Sequence, residues 1–138
     1  MRKKITAVLL LMAMVMSMVC GCGKEKKKQE YILYYLNSDV TKVVPEEVKL
    51  KHHGGKSQID ELLTGLKKQP DDTSLRQTIP SDVKVLGVSL MSYQITVDFS
   101  REYYEMKPTE EILTRAAIVK TLLQSEKYPY VTFTVEGK

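Results

Sequence analysis

The sequence predicts a single α+β domain: a two-layer sandwich with a mainly antiparallel or mixed sheet and two helices on one face. Three observations predict it. Short β-forming or alternating stretches recur at Tyr31–Leu36, Val83–Leu90, Ile95–Phe99 and Val131–Val135. Two longer stretches, Ile59–Leu66 and Ile112–Leu123, carry apolar residues at helical spacing. The region after residue 30 is 108 residues long, enough for one core and too short for two.

What precedes that region is an export signal. Met1-Arg2-Lys3-Lys4 is basic, and Ile5 to Val19 is apolar apart from Thr6 and Ser17. A run of roughly 15 apolar residues is short for a bilayer-spanning helix, which needs about 20. The run ends in Val19-Cys20-Gly21-Cys22, a pattern that resembles a lipobox, with the small residue Gly21 before the cysteine that becomes the acylated N-terminus. Cys20 is the poorer candidate, because Met18 and Val19 would flank the cut. The expected division is a lipoprotein signal peptide over 1–21, a lipidated lysine-rich tether over 22–30 and one domain over 31–138. Acyl chains on Cys22, each buried methylene contributing about 0.8 kcal/mol, would moor the domain to the extracytoplasmic face of the cell membrane.

Charge and cysteine content fit that division. The chain has 21 Lys+Arg against 17 Asp+Glu, a net charge of +4. Three of the basic residues lie in the leader, and four lysines and two glutamates in the tether, leaving 14 basic and 15 acidic residues from Tyr31 onward. A near-neutral domain lacks the basic excess of a nucleic-acid binder, so no nucleic-acid partner is expected. The tether lysines suit anionic headgroups instead. With Cys20 removed and Cys22 acylated, the domain has no thiol and no disulfide.

Within the domain, Tyr31–Leu36 reads as a central strand closed by the turn former Asn37-Ser38-Asp39. Lys42–Lys51 contains Val43, Val44, Val48 and Leu50 around Pro45, which has no N–H for a ladder, so it reads as an edge strand or extended arm. Ser57 with Asp60 imitates a capping box at the start of a helix whose stripe is Ile59, Leu62, Leu63 and Leu66. That helix should end before Pro70, with Lys67 and Lys68 at its carbonyl end. Val83–Leu90 alternates with a slip at Leu86-Gly87 that predicts a bulge. Ile95, Val97 and Phe99 form the partner strand of a hairpin turning through Met91–Gln94, which lacks the usual Asn-Gly or Asp-Gly. Arg101–Lys107 is a polar connection. A second helix is expected with Thr109 as N-cap, Glu110 and Glu111 in its first turn, and Ile112, Ala116, Val119 and Leu123 as its buried row, flanked by Leu113 and Leu122. Val131, Phe133 and Val135 form the last strand.

Several constellations invite a chemical reading. Gly55-Lys56-Ser57 matches the end of a phosphate-binding loop, but Leu50 stands where that motif needs glycine. His52 and His53 would need carboxylates to complete a metal site. Asp71-Asp72 lacks the alternating oxygens of a calcium loop. Glu110 and Glu111 point to different sides of a helix and make a poor acid/base pair. A hydrolase built from Ser57, a histidine and an aspartate needs a spatial arrangement that spacing alone does not establish. Asp98 and Ser100 are the candidate ligand-binding pair, with a structural alternative in which they bond nearby backbone donors; Thr121 would back-bond within its helix.

The ordered set Tyr34-Tyr35-Leu36-Asn37, Leu62-Leu63-x-Gly65, Ile79-Pro80-Ser81, Val97-Asp98-Phe99-Ser100, Ile118-Val119-x-Thr121-Leu122 and Val131-x-Phe133-x-Val135-Glu136-Gly137 resembles the GerMN domain family of sporulation and germination lipoproteins. The chain departs from the family's pattern at Leu66, where proline is usual, and at Ser81-Asp82, where Gly-Thr is usual; a second copy of the domain, common in members, is not expected here. The resemblance implies a fold similar to the ring-building motifs of envelope assemblies and a binding or scaffolding role outside the membrane, with no catalytic site, cofactor or metal. It implies an envelope or sporulation protein as partner and leaves self-association open. The alternative is a lipoprotein that binds a small ligand or cell-wall glycan.

Overall fold

Tyr31–Asn37 forms β1, the strand around which one of two sheets is built. The computed structural model describes residues 30–138; the leader, Cys22 and the tether up to residue 29 lie outside the described residues. β1 pairs antiparallel with β2 (Val43–Val48) along its length and with β3 (Leu75–Arg76) only at Leu36 and Asn37. The order β2-β1-β3 puts β1 in the centre and β2 at the edge, as expected.

Pro45 sits opposite Tyr34 and so decides where the β1 backbone bonds go. Proline cannot donate, so Tyr34 and, two residues away, Ile32 turn their N–H and C=O groups to the other edge of the strand. Side chains meet them there. Ile32 N–H donates to Gln124 Oε1 (2.8 Å) and Gln124 Nε2 donates back to Ile32 O (2.6 Å). Tyr34 N–H donates to Thr121 Oγ1 (3.1 Å), and Thr78 Oγ1 donates to Tyr34 O (2.7 Å). Thr121 thus bonds across to β1, not back within its own helix.

The second sheet has the order β4-β5-β6, from Val85–Met91, Gln94–Phe99 and Tyr130–Val135. β4 and β5 are antiparallel, β5 and β6 parallel. The register slips between Val85 and Gly87, so the bulge expected at Leu86-Gly87 is present. The α+β class holds, with the strands divided between two three-stranded sheets, because side chains and not another strand occupy the rest of the open β1 edge.

Met91 pairs with Gln94, leaving Ser92 and Tyr93 as a two-residue hairpin loop with φ of 49° and 65°. Both lie in the left-handed region that such turns require and that Asn and Gly occupy most cheaply. The S92N/Y93G variant is therefore expected to be more stable by about 1–2 kcal/mol, seen as a raised urea midpoint with an unchanged slope.

Helix α1 spans Gly55–Lys67, and Ile59, Leu62, Leu63 and Leu66 are buried as predicted. Its start differs from expectation. The N-cap is Gly54, Ser57 lies inside the helix, and the reach-back bond comes from Gln58 Oε1, which accepts from Gly54 N–H at 2.5 Å. Gly54 and Gly55 have φ of 91° and 65°, so the glycine pair sets the entry and leaves Asp60 to pair with Lys56 at 3.1 Å. The segment Arg101–Glu105, expected as a polar connection, is a 3-10 turn that buries Tyr103 against Phe99, with ring centroids 4.9 Å apart.

Helix α2 runs Pro108–Leu122. Lys107 is its N-cap and Pro108 takes the first helical position, where a missing N–H costs nothing, so Thr109 falls one residue inside. The buried row also differs: Thr114, Ala117, Ile118, Thr121 and Leu122 face the core. Ile112 and Leu123, expected to be buried, are 64% and 39% exposed. Both threonine hydroxyls have partners, Thr121 on Tyr34 and Thr114 donating to Thr78 O at 3.0 Å, which makes their burial cheap. The core is one cluster in which Leu33, Ile59, Leu66, Ile79, Val97, Phe99 and Ile118 join both helices to both sheets.

Candidate functional site

At 100° per residue, Ile112, Ala116, Val119 and Leu123 fall on the side of α2 opposite its buried row. Ile112, Ala116 and Leu123 are exposed and Val119 is half-buried. The charged neighbours do not cover this row. The Arg115 guanidinium pairs with Glu111 and lies 5.2 Å from the Phe133 ring centre, and Lys120 Nζ lies 5.1 Å from that of Tyr34. Both cations turn sideways onto aromatic faces, leaving an apolar strip between them. Polar satisfaction explains why the other side won the core: Thr121 completes the β1 edge and Thr114 bonds the Thr78 carbonyl, and an aliphatic row can do neither.

A second feature is an open groove of about 500 Å³, lined by Leu33, Tyr35, Glu46, Val48 and the carbonyl end of α1. Glu46 pairs across the strands with Leu33, which places its carboxylate on the inward side of β2 in line with Val44 and Val48. Its Oε2 is enclosed and, among the described residues, has no hydrogen-bond partner. Tyr35 Oη beside it donates to Gly65 O at 3.1 Å. Burial first, then the charges of Glu46 and Asp71, push the Tyr35 phenol up to about 12. The sequence holds a signal for this acid: the alternation Val44-x-Glu46-x-Val48 puts it on the apolar side of a strand.

Tyr103 is raised to about 12 as well, by burial first, with Arg115 opposing and Glu111 reinforcing the shift. Both phenols keep their protons in the folded state where the unfolded chain loses them near pH 10. Their contribution is therefore fully present below pH 10 and is lost as pH rises through about 12. Urea midpoints should fall across that window by an amount worth about 2–3 kcal/mol per tyrosine, and Tyr35→Phe or Tyr103→Phe should each remove one share.

The residues singled out in the sequence are spent on structure where their bonds are visible. Asp98 Oδ1 accepts from Thr134 Oγ1 (2.7 Å) and from Gly137 N–H (2.9 Å), tying β5 to β6 and the turn after it. Ser100 Oγ accepts from Lys84 N–H at 2.9 Å. Neither is among the residues lining the groove. His52 Nδ1 lies 2.9 Å from Glu61 Oε2, and Glu61 also accepts from the backbone of Lys51 and His52. Those backbone bonds chiefly hold the Glu61 carboxyl below its ordinary range. His53 stacks on Tyr31, 6.1 Å between ring centres, and Ser57 is exposed on α1. Among the described residues no group of three or more His, Cys, Asp or Glu is placed to hold a metal, and no helix is long and apolar enough to cross a membrane. The Asp71–Ser74 turn is a local one, Ser74 N–H donating to Asp72 Oδ1 at 2.8 Å.

Two three-stranded sheets, two helices and an uncovered helix face define a small α+β module whose internal polar groups mostly secure its own backbone. The chain belongs to the Germane family of sporulation and spore germination, whose model matches residues 32–138. Solved structures agree at the level of fold. The first GerMN domain of the sporulation protein GerM from Bacillus subtilis superposes with a TM-score of 0.63 at 21% identity, over 79% of this chain and 84% of that one. The tandem GerMN domains of the same protein give 0.58 at 20% identity, over 87% of this chain and 43% of that one. A Clostridium perfringens protein assigned to the lipoproteins gives 0.54 at 20% identity, over 79% and 76%. No curated protein matches the chain. The resemblance carried by the ordered motifs is borne out.

Proposed function

We propose that the protein is a non-catalytic lipoprotein, held by acylated Cys22 on the extracytoplasmic face of the membrane, whose domain docks on another envelope or sporulation protein through the outer face of α2. The observation that carries this is the uncovered row Ile112–Leu123, with Ile112 64% exposed on a helix whose opposite side is already buried. A helix that is apolar on two opposite sides needs a second partner for the second side. The family's link to sporulation and spore germination, and the lipoprotein among the similar folds, support the setting. A photo-crosslinking residue at position 112 in intact cells should capture one heterologous protein, and Leu123→Glu should abolish the adduct. No adduct, or only a self-adduct, overturns the heterologous docking role.

One observation favours a second reading, a small ligand or cell-wall glycan in the groove. Among the described residues Glu46 Oε2 has no partner there, and a ligand hydroxyl or ammonium would supply a donor. Glycan fragments that raise the melting temperature of the wild type and not of Glu46→Gln would support it; equal effects on both would end it.

A further inference from the structure

We propose that the tip of the β4–β5 hairpin, with Tyr130 beside it, is a membrane-contact surface that rests on the lipid to which the chain is tethered. This rests on the anchored reading above. Met91, Tyr93 and Tyr130 are 70%, 71% and 66% exposed, and the register places them together: Gln94, which closes the hairpin loop, pairs with Met91 on one side and Tyr130 on the other. They form one apolar and aromatic end of the second sheet.

That end is also where the tether enters. Gln124, just past the end of α2, bonds both backbone groups of Ile32 at the start of β1. Two tight turns, Ser125 N–H to Leu122 O and Tyr128 N–H to Ser125 O, then lead straight to the start of β6. β6 is parallel to β5, so the start of β1, the start of β6 and the hairpin tip lie at one end of the domain. From Cys22 to Tyr31 is nine residues, a reach of about 30 Å at full extension. A domain on so short a leash, entered beside its own apolar tip, meets the bilayer with that tip.

The chemistry suits an interface. Tyrosine presents an apolar ring with a polar tip, the kind of side chain that settles at headgroup depth, and Met91 adds flexible apolar surface beside it. Lys127 lies in the turn before β6 and Lys49 and Lys51 follow β2 opposite Tyr31, with Glu30 and Glu126 interspersed; the tether adds Lys24, Lys26, Lys27 and Lys28, which favour anionic headgroups. The backbone supports a role other than stability, because Ser92 and Tyr93 hold left-handed conformations where Asn-Gly would be cheaper. Tyr93 gives up some stability and puts an aromatic ring at the extremity.

The chain contains no tryptophan, so Tyr93→Trp gives a single reporter in the full-length lipidated protein, reconstituted in vesicles of phosphatidylcholine and phosphatidylglycerol. Tyr104→Trp is the control, an exposed position just beyond the other end of β5. The expected result is blue-shifted emission at 93 with most of its intensity lost to brominated lipid, and emission at 104 quenched by aqueous acrylamide alone. Intact mass on the same sample reports the anchor. If the mass shows acyl chains and the reporter at 93 remains acrylamide-quenched, the tip contact is overturned and the anchor stands. A blue shift without lipid quenching places the tip against protein and also overturns the proposal. A mass without acyl chains overturns the anchored reading and this placement with it.

Discussion

Ile118→Asp is expected to leave the domain unfolded, whereas Ile112→Asp, six residues earlier on the same helix, should change its stability by no more than about 0.5 kcal/mol. Ile118 is fully buried among residues of both sheets and both helices. Deleting a buried isoleucine side chain alone costs about 2–5 kcal/mol, and an unpaired carboxylate in the same space adds several more. The sum reaches the whole stability of a typical domain of this size, about 5–15 kcal/mol. Ile112 is mostly in water already, so its aspartate variant loses little burial and meets no apolar enclosure. Urea unfolding followed by circular dichroism separates the two variants directly. If Ile112→Asp unfolded the domain and Ile118→Asp did not, the outer face of α2 would be its core face, and the docking surface would disappear. In cells the same pair separates folding from function: with the photo-crosslinking residue moved to position 116 on the same exposed row, Ile112→Asp should yield a stable, abundant protein that gives no adduct.

These two isoleucines also mark where the sequence was legible and where it was not. α1 has one apolar stripe, and Ile59, Leu62, Leu63 and Leu66 are buried where helical periodicity puts them. The hairpin, the bulge at Leu86-Gly87 and the edge position of β2 follow from alternation, from a glycine and from a proline, each a local cause. α2 is different because it has two candidate stripes. Hydropathy favours Ile112, Ala116, Val119 and Leu123, while the structure buries a row containing two threonines. What decides between them is a long-range fact, the open edge of β1, whose carbonyl and amide groups need donors and acceptors that Thr121, Gln124 and Thr78 supply. Periodicity reports which residues prefer to leave water and is silent about which polar groups elsewhere must be satisfied. Tyr103 was hidden for a related reason, since one aromatic ring in a polar segment has no period, and its burial depends on Phe99 arriving from β5. For Asp98 and Ser100, residue type pointed to polar contacts, and only the fold shows those contacts reaching Gly137 and Lys84.

The double variant T121V/Q124L is expected to cost about 3–5 kcal/mol, although neither substitution removes much apolar surface. Thr121→Val keeps the shape of a fully buried side chain and deletes the oxygen that accepts from Tyr34 N–H. An amide left without a partner in that position costs about 1–3 kcal/mol. Gln124→Leu takes both a donor and an acceptor from Ile32, and a third bond, from Gln124 Nε2 to Thr121 O at 2.8 Å, goes with them. Because the two residues serve neighbouring groups on one strand edge, the double variant should cost less than the sum of the singles: once one contact is lost, water reaches the other. Thr121→Ser retains the hydroxyl and should recover most of the loss at that position. Hydrogen exchange supplies the specific readout, with the Ile32 and Tyr34 amides exchanging faster in the double variant while the Leu33 and Tyr35 amides, which face β2, remain protected. The same change would expose an unpaired strand edge, the feature through which sheets associate. A concentration-dependent dimer of T121V/Q124L, absent from the wild type, would show that Thr121 and Gln124 of this segment shield the β1 edge from pairing with another chain.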